Sequence, residues 1–242
     1  LEQLDSLVSH EMGPTEWGPG KAIGAPSHPH RGFETVTYLL KGKMEHKDSA
    51  GNSGLLNDGD VQWMTAGSGV IHSELPESEF KRKGGLMHGF QIWVNLPAKD
   101  KMMAPRYQDI PAANIPVAES EDGSVKVVVV AGESMGVSAV IDTVIPITYL
   151  DVTLEDGELK QDLASELNAM VYVFEGTVLV AGEEVEDGGF VILSGGDSVE
   201  LSGNGRCLVL AGPALDEPIA RYGTFVMNTQ EEIMQAISDY QR

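Results

Sequence analysis

The chain is poor in cysteine and contains no long apolar run. Its one cysteine, Cys207, lies in an apolar segment, so an internal disulfide is excluded and a packed thiol is indicated. No apolar run approaches the ~18 residues of a membrane-spanning helix, and no charged-then-apolar leader opens the sequence. These absences predict an intracellular protein of a reducing compartment, cytoplasmic or, in a eukaryote, nuclear.

Basic side chains are also scarce. The chain has 16 Lys and Arg against 37 Asp and Glu, a net charge of −21. Residues 1–115 contain 14 acidic and 11 basic side chains, whereas residues 116–242 contain 23 and 5. Such a negative field repels phosphate backbones and anionic lipids. We therefore expect no direct nucleic-acid partner and no membrane contact.

What the sequence does contain is a series of short strand patterns. β-branched and aromatic segments separated by Gly, Pro, Asn and Asp turns predict an all-β fold, a barrel or a sandwich. Residues 1–27 are predicted to be rich in loops, and a helix is predicted from Asn228 onward, capped by Asn228 or Thr229. The predicted strands include Thr35–Leu40, Val61–Thr65, Phe90–Val94, Val125–Ala131, Ile147–Leu154, Ala169–Phe174, Val178–Ala181, Phe190–Leu193, Ser198–Leu201 and Cys207–Ala211.

A weak internal repeat indicates a duplicated barrel. The segment Tyr38–Gly42 is similar to Tyr172–Gly176, which lies 134 residues later. The Pro-rich and acidic stretch 97–122 is expected to connect the copies. We predict a metal-binding domain over 1–118 and a second domain over 119–242 that carries the C-terminal helix. All six histidines fall between residues 10 and 88, so the second copy has none.

Two segments of the first copy each present a pair of potential metal ligands. His28 and His30 are separated by one residue, as are His72 and Glu74. Because alternate side chains of a strand point to the same face, each pair faces one side. On neighbouring strands of a curled sheet, three imidazoles and one carboxylate converge. This donor set suits Fe(II), Ni(II), Cu(II), Mn(II) or Zn(II), and is close to that of non-haem iron oxygenases.

Four other side chains are weighed against this set. Glu34 has suitable parity to compete with Glu74, but we expect it to be a structural carboxylate near the site. His46 lies in a charged stretch and is expected to be solvated. His88 is expected to be a core or turn residue, with a place in the pocket wall left open. His10 carries no signal.

The sequence resembles the pirin family of the cupin superfamily over most of its length. The resemblance rests on the segments His28–Tyr38, Glu45–Asn52, Asp60–Gly67, Ile71–Glu74, Gln91–Pro97, Pro218–Gly223 and Phe225–Thr229. It implies two stacked cupin barrels with a metal only in the N-terminal one, and it carries the ligand roles to His28, His30, His72 and Glu74. It also implies iron as the metal. Some pirins open the flavonol quercetin with O₂, and others bind transcription factors or metabolic enzymes.

Two functions from different classes are therefore considered. The first is a metal-dependent dioxygenase that acts on a flavonol-like aromatic substrate and O₂, with Fe(II) and with Glu74 as general base. The second is a regulatory protein whose metal redox state biases a surface that a partner protein reads, with the acidic second half as docking surface. A purely structural metal, enclosed by its four protein ligands, is a third interpretation.

Overall fold

The chain forms two compact units in the computed structural model, which describes residues 7–241. Among these residues, the first unit comprises 7–114 together with 215–241, and the second comprises 115–214. No helix in the described part of the chain is long and apolar enough to cross a membrane.

Two antiparallel sheets make up most of the first unit. Their strands are β1 (Leu7–Trp17), β2 (Ala25–His30), β3 (Phe33–Lys41), β4 (Met44–Asp48), β5 (Ser53–Leu56), β6 (Val61–Thr65), β7 (Val70–Pro76), β8 (Gly85–Asn95) and β9 (Arg106–Ile110). The five-stranded sheet has the order β1-β8-β3-β6-β9 and the four-stranded sheet the order β2-β7-β4-β5. A short helix, α1 (Ser78–Lys83), precedes β8.

Burial follows the side-chain patterns of the strands. Every residue from Phe33 to Leu40 on β3 is buried, which fits a central strand with both faces covered. On β7 the buried residues alternate, so that Val70, His72 and Glu74 face the interior while Ile71 and Ser73 are only partly buried. The first unit therefore places polar, potentially metal-binding side chains on an inward-facing row.

The second unit, after a 3₁₀ turn at Ala112–Asn114, contains a seven-stranded sheet and a small hairpin. The strands of this unit are β10 (Val117–Glu119), β11 (Val125–Ala131), β12 (Glu133–Ser134), β13 (Val137–Ser138), β14 (Thr148–Asp162), β15 (Leu167–Val180), β16 (Glu183–Glu186), β17 (Phe190–Ile192) and β18 (Ser198–Pro213). The sheet has the order β10-β11-β14-β18-β15-β16, β17 also pairs with β15, and β12 and β13 form the hairpin. The core of the unit is a cluster of aliphatic side chains that includes Val127, Leu150 and Val209.

The end of the chain returns to the first unit. It forms the hairpin β19 (Ala220–Tyr222) and β20 (Phe225–Met227), followed by α2 (Gln230–Tyr240). Thr229, one of the two caps that the sequence allows, caps α2 in a capping box with Glu232. Ile233 and Ala236 of α2 pack with Phe225 in one buried cluster.

The all-β fold with a short C-terminal helix is confirmed, but three details differ from prediction. In the segment 1–27, which was predicted to be rich in loops, residues 7–17 form β1 and β2 begins at Ala25; residues 1–6 lie outside the described part. The connector 97–122 contains β9 and β10. The predicted domain 119–242 includes residues 215–241, which the structure assigns to the first unit, because backbone hydrogen bonds of Thr224 and Val226 and an ion pair of Asp239 join them to Arg31.

Candidate metal centre

The register between β2 and β7 brings the two predicted ligand pairs side by side. His28 is paired with His72 and His30 with Val70, and a register shift between Ala25 and His28 separates these pairs from the pairing of Ala25 with Glu74. His30 and His72 are buried, with 2% and 1% of their surface exposed. The alternation along each strand thus places all three imidazoles on one face of the sheet.

The three imidazoles meet at their Nε2 atoms. The Nε2 of His28 lies 2.8 Å from that of His30 and 3.1 Å from that of His72. The Nδ1 of His28 donates to the Pro26 carbonyl at 2.7 Å, so a neutral His28 presents the lone pair of its Nε2 to the other two rings. Such a hydrogen bond to the second ring nitrogen is the usual way in which a metal-binding histidine is oriented.

Both buried rings are held in the neutral form. Burial, reinforced by His72 and His28, lowers the pKa of His30 to about 2. Burial also lowers the pKa of His72 to about 4, with the Glu74 carboxylate acting in the opposite direction. Neutral imidazoles are the form that binds a metal. The potential ligand atoms of the three histidines all lie within 4.8 Å of one another, so these residues fit a single divalent cation.

Glu74 lies beside this histidine cluster. Its Oε2 is 3.9 Å from the Nε2 of His72, and the residue is 5% exposed. Thr37 donates to Glu74 Oε1 at 3.1 Å, and the Gln91 amide donates to Oε1 at 3.2 Å and to Oε2 at 2.9 Å. The carboxylate is therefore oriented by two neighbouring strands of the other sheet.

Thr37 and Gln91 were not recognised as site residues from the sequence. Gln91 and Trp93 lie two residues apart on β8, and the Trp93 indole N–H donates to the Gln91 carbonyl oxygen at 3.3 Å. A signal was present, because Gln91 is a polar residue within an otherwise apolar strand pattern. What the sequence did not supply is the neighbour to which this amide donates.

The remaining candidates fall in different places. Glu34 is fully buried and accepts a 2.6 Å hydrogen bond from Thr65, as expected for a structural carboxylate. His88 pairs with Glu11 at 2.7 Å and is partly buried. His10, which carried no sequence signal, lines a cavity that also contacts Glu74.

The prediction for His46 was wrong. His46 is 2% exposed, its ring lies 4.7 Å from the Tyr107 ring, and its Nδ1 accepts a 2.8 Å hydrogen bond from Gln62. The same Gln62 nitrogen donates to Asp109 at 2.9 Å. Strand β9, which the sequence prediction treated as connector, supplies Tyr107 and Asp109, and this explains why a charged stretch contains a buried imidazole.

A cavity of about 460 Å³ reaches the carboxylate. Its apolar wall includes Trp17, Met44 and Met87, and its polar wall includes Glu74 and Gln91. A small aromatic molecule matches such a lining, because the rings can pack on apolar side chains while a hydroxyl group faces the carboxylate.

These observations first define a class: an all-β protein with a three-histidine candidate site for a divalent metal in one of its two units. Comparison with known families then identifies it further. The family described as Pirin matches residues 2–94, and the Pirin C-terminal cupin domain matches residues 149–242. The chain belongs to the pirin family, and its fold is that of a cupin protein with two barrels.

Relatives of known name agree with this assignment. A pirin-like protein of Caulobacter vibrioides is 45% identical over 90% of this chain and 79% of its own. Human pirin is 41% identical over 99% of this chain and 82% of its own. A crystal structure of quercetin 2,3-dioxygenase from Acinetobacter baumannii has a TM-score of 0.95 and 39% identity, covering 100% of this chain and 86% of that one.

Proposed function

We propose that this protein is a metal-dependent dioxygenase of the quercetin 2,3-dioxygenase type. In this reaction O₂ opens the central ring of a flavonol and one molecule of carbon monoxide is released. The observation that carries the proposal is the convergence of three imidazoles beside Glu74, whose carboxylate borders a largely apolar cavity of about 460 Å³. The quercetin 2,3-dioxygenase of A. baumannii, with a TM-score of 0.95, supports it.

The proposed ligands of the metal are His28, His30, His72 and Glu74. Three imidazoles and one carboxylate suit a divalent first-row ion, and we propose Fe(II); Ni(II), Cu(II), Mn(II) and Zn(II) are the alternatives that metal analysis distinguishes. When bound, the ion supplies Lewis-acid and redox chemistry to the phenol and to O₂.

The proposed catalytic role of Glu74 is that of general base. Its carboxylate borders the cavity and takes the proton of the flavonol 3-hydroxyl group. Thr37 and Gln91 hold the carboxylate by hydrogen bonds of 2.9–3.2 Å, so the proton acceptor has a fixed direction. Trp17, Met44 and Met87 pack on the aromatic rings and exclude water from them.

Turnover of quercetin by metal-loaded protein tests the proposal. The protein is stripped with chelator, reloaded with Fe(II) without oxygen and mixed with quercetin and O₂, and loss of quercetin absorbance and release of carbon monoxide are measured. We expect one carbon monoxide per quercetin consumed. Replacement Glu74→Gln should lower the rate by roughly 10²–10⁴-fold, the range expected for loss of a general base.

A matched control is Glu45→Gln. Glu45 lies on β4, the neighbour of β7, and its side chain is 43% exposed. This variant undergoes the same chemical change outside the site and should keep the wild-type rate. No turnover by freshly loaded wild-type protein, or equal rates for Glu74→Gln and wild type, contradicts the proposal.

A regulatory role is the second candidate, favoured by the charge of the second unit. Residues 115–214 contain 18 acidic and 3 basic side chains. We propose that, in this alternative, a basic protein partner binds this unit and that the metal in the first unit biases the interaction. A pull-down whose yield is unaffected both by added salt and by the metal state would argue against it, because surface electrostatic attraction is screened by salt.

A further inference from the structure

A single tryptophan supports two of the proposed metal ligands. The indole ring of Trp93 lies 5.9 Å from the ring of His30, nearly perpendicular to it at 85°. Through its N–H, Trp93 also donates to Gln91, whose amide donates to Glu74. His30 belongs to β2 and Glu74 to β7. Trp93, on β8, therefore contacts the ring of His30 directly and reaches Glu74 through Gln91.

The direction of the Gln91 amide is determined by its partners: the NH₂ group donates to Glu74 and, at 3.4 Å, to the Thr37 hydroxyl, and the carbonyl oxygen accepts from Trp93. An ionised carboxylate only accepts hydrogen bonds, and an indole N–H only donates. Gln91 therefore turns its NH₂ group to Glu74, at 2.9 Å and 3.2 Å, and its carbonyl oxygen to Trp93, at 3.3 Å. If the amide were turned round, its oxygen would face the carboxylate and two acceptors would oppose one another.

The tryptophan is itself held on two sides. Its ring packs against Phe33 at a centroid distance of 4.6 Å, and the guanidinium of Arg221 lies 4.8 Å from the ring centroid. Arg221 belongs to β19, in the part of the chain that returns to the first unit. Packing against an aromatic ring and a cation–π contact restrict the ring to one orientation.

We propose that Gln91 is a positioning residue for Glu74 and that Trp93 fixes the direction of the Gln91 amide. This inference rests on the proposed function, in which Glu74 is both a ligand and the proton acceptor. Loss of the indole N–H allows the Gln91 amide to turn, and Glu74 then leaves the orientation in which it can bind the metal and accept the proton. Partners that orient metal ligands in this way change metal affinity or activity roughly 10–100-fold when removed.

The test uses the full-length protein loaded with Co(II), whose visible absorption spectrum reports the ligands and their geometry. Trp93→Phe keeps an aromatic ring and removes the N–H, and Gln91→Met keeps the length of the side chain and removes the amide. We expect both variants to alter the Co(II) spectrum and weaken Co(II) binding. With Fe(II) and quercetin, we expect kcat to fall roughly 10–100-fold while KM changes little.

Trp63→Phe is the matched control for Trp93→Phe. Trp63 is fully buried, and its indole nitrogen has no hydrogen-bond partner among residues 7–241. This control therefore loses the same ring volume without losing a hydrogen bond, and its Co(II) spectrum should equal that of wild type. Gln230→Met, an exposed site at the start of α2, is the control for Gln91→Met.

The outcomes separate the two proposals. If Trp93→Phe and Gln91→Met show the wild-type Co(II) spectrum and the wild-type kcat, the positioning role is overturned while the proposed dioxygenase activity stands. If wild type binds Co(II), both variants change its spectrum and no protein consumes quercetin, the proposed activity fails while the positioning role is supported. If wild-type protein binds no Co(II), both proposals are overturned.

Discussion

The backbone N–H of Val226 donates a 3.0 Å hydrogen bond to the carbonyl of Arg31, the residue that follows His30. The N–H of Arg31 in turn donates to the carbonyl of Thr224 at 3.3 Å, and its guanidinium pairs with Asp239 of α2 at 2.9 Å. These three contacts, called the Arg31 brace below, join the C-terminal part of the chain to the end of β2, which carries the proposed metal ligand His30.

Gly32→Ala should disrupt the Arg31 brace. Gly32 has φ of +87°, and a Cβ at this position would lie 2.1 Å from the Val226 carbonyl oxygen. The left-handed conformation alone costs a non-glycine residue roughly 1–2 kcal/mol, and the clash must also displace Val226. We expect a lower thermal midpoint and weaker Co(II) binding, measured by circular dichroism and by titration.

Gly20→Ala separates these two effects. Gly20 has φ of +74°, and no atom of residues 7–241 lies within 4 Å of a Cβ built there. Gly20→Ala therefore has the unfavourable backbone conformation without the clash. Gly20→Ala should lower the thermal midpoint only slightly and should bind Co(II) with the affinity of wild type. Equal Co(II) affinity for Gly32→Ala and wild type would show that the Arg31 brace does not position the histidines.

Addition of a divalent metal should stabilise the protein against unfolding. A ligand that binds only the folded state, at a free concentration 100 times its Kd, adds about 2.7 kcal/mol. We expect Co(II) to raise the thermal midpoint, EDTA to reverse the effect, and His28→Gln to abolish it. A midpoint that rises equally in His28→Gln would place the bound ion elsewhere.

Lys101→Met should be destabilising although it removes a buried charge. Lys101 is 1% exposed, and its ammonium donates to the carbonyls of Gly32 and Val226 and to the side chain of Asn95 at 2.6–2.9 Å. Buried acceptors that lose their donor cost about 1–3 kcal/mol each, so we expect the free energy of unfolding to fall by that order. Lys99→Met, with a side chain 81% exposed, should unfold in urea like wild type.

The lowered pKa of Lys101 predicts that the free energy of unfolding depends on pH in the alkaline range. Burial lowers the pKa of Lys101 from 10.5 to about 8, with Glu217 and Glu232 acting in the opposite direction. Between these two pH values the unfolded chain binds the proton that the folded chain has released, so this group makes stability rise with pH. The difference in unfolding free energy between wild type and Lys101→Met should widen from pH 8 to pH 10.5. A constant difference would contradict the lowered pKa.

His46→Leu should reduce stability without removing the metal. His46 is buried, and its loss leaves the Gln62 amide without one of its acceptors, a cost of about 1–3 kcal/mol. Because His46 is not part of the histidine cluster, metal analysis should still find the wild-type metal content. Lys47→Met, with a side chain 61% exposed on the same strand, is the control. If the free energy of unfolding of His46→Leu lies within about 0.5 kcal/mol of wild type, as for a substitution at a solvated residue, the expected structural role of His46 is contradicted.

The sequence by itself determined the strand patterns and the side of each strand on which the histidines lie. Both depend on the two-residue period of a β-strand, which is a local property. His28 and His30 alternate with Pro29, and His72 alternates with its neighbours, so the shared face followed from spacing. The cap of α2 at Thr229 is equally local, because a capping box spans four residues.

Only the tertiary structure decided which side chains from distant strands surround these faces. The burial of His46 depends on β9, which lies about sixty residues later in the chain, and the orientation of Glu74 depends on Gln91 from the other sheet. The return of residues 215–241 to the first unit likewise depends on backbone contacts with Arg31. Strand pairing and register set such contacts across long separations, and no local period of the sequence encodes them.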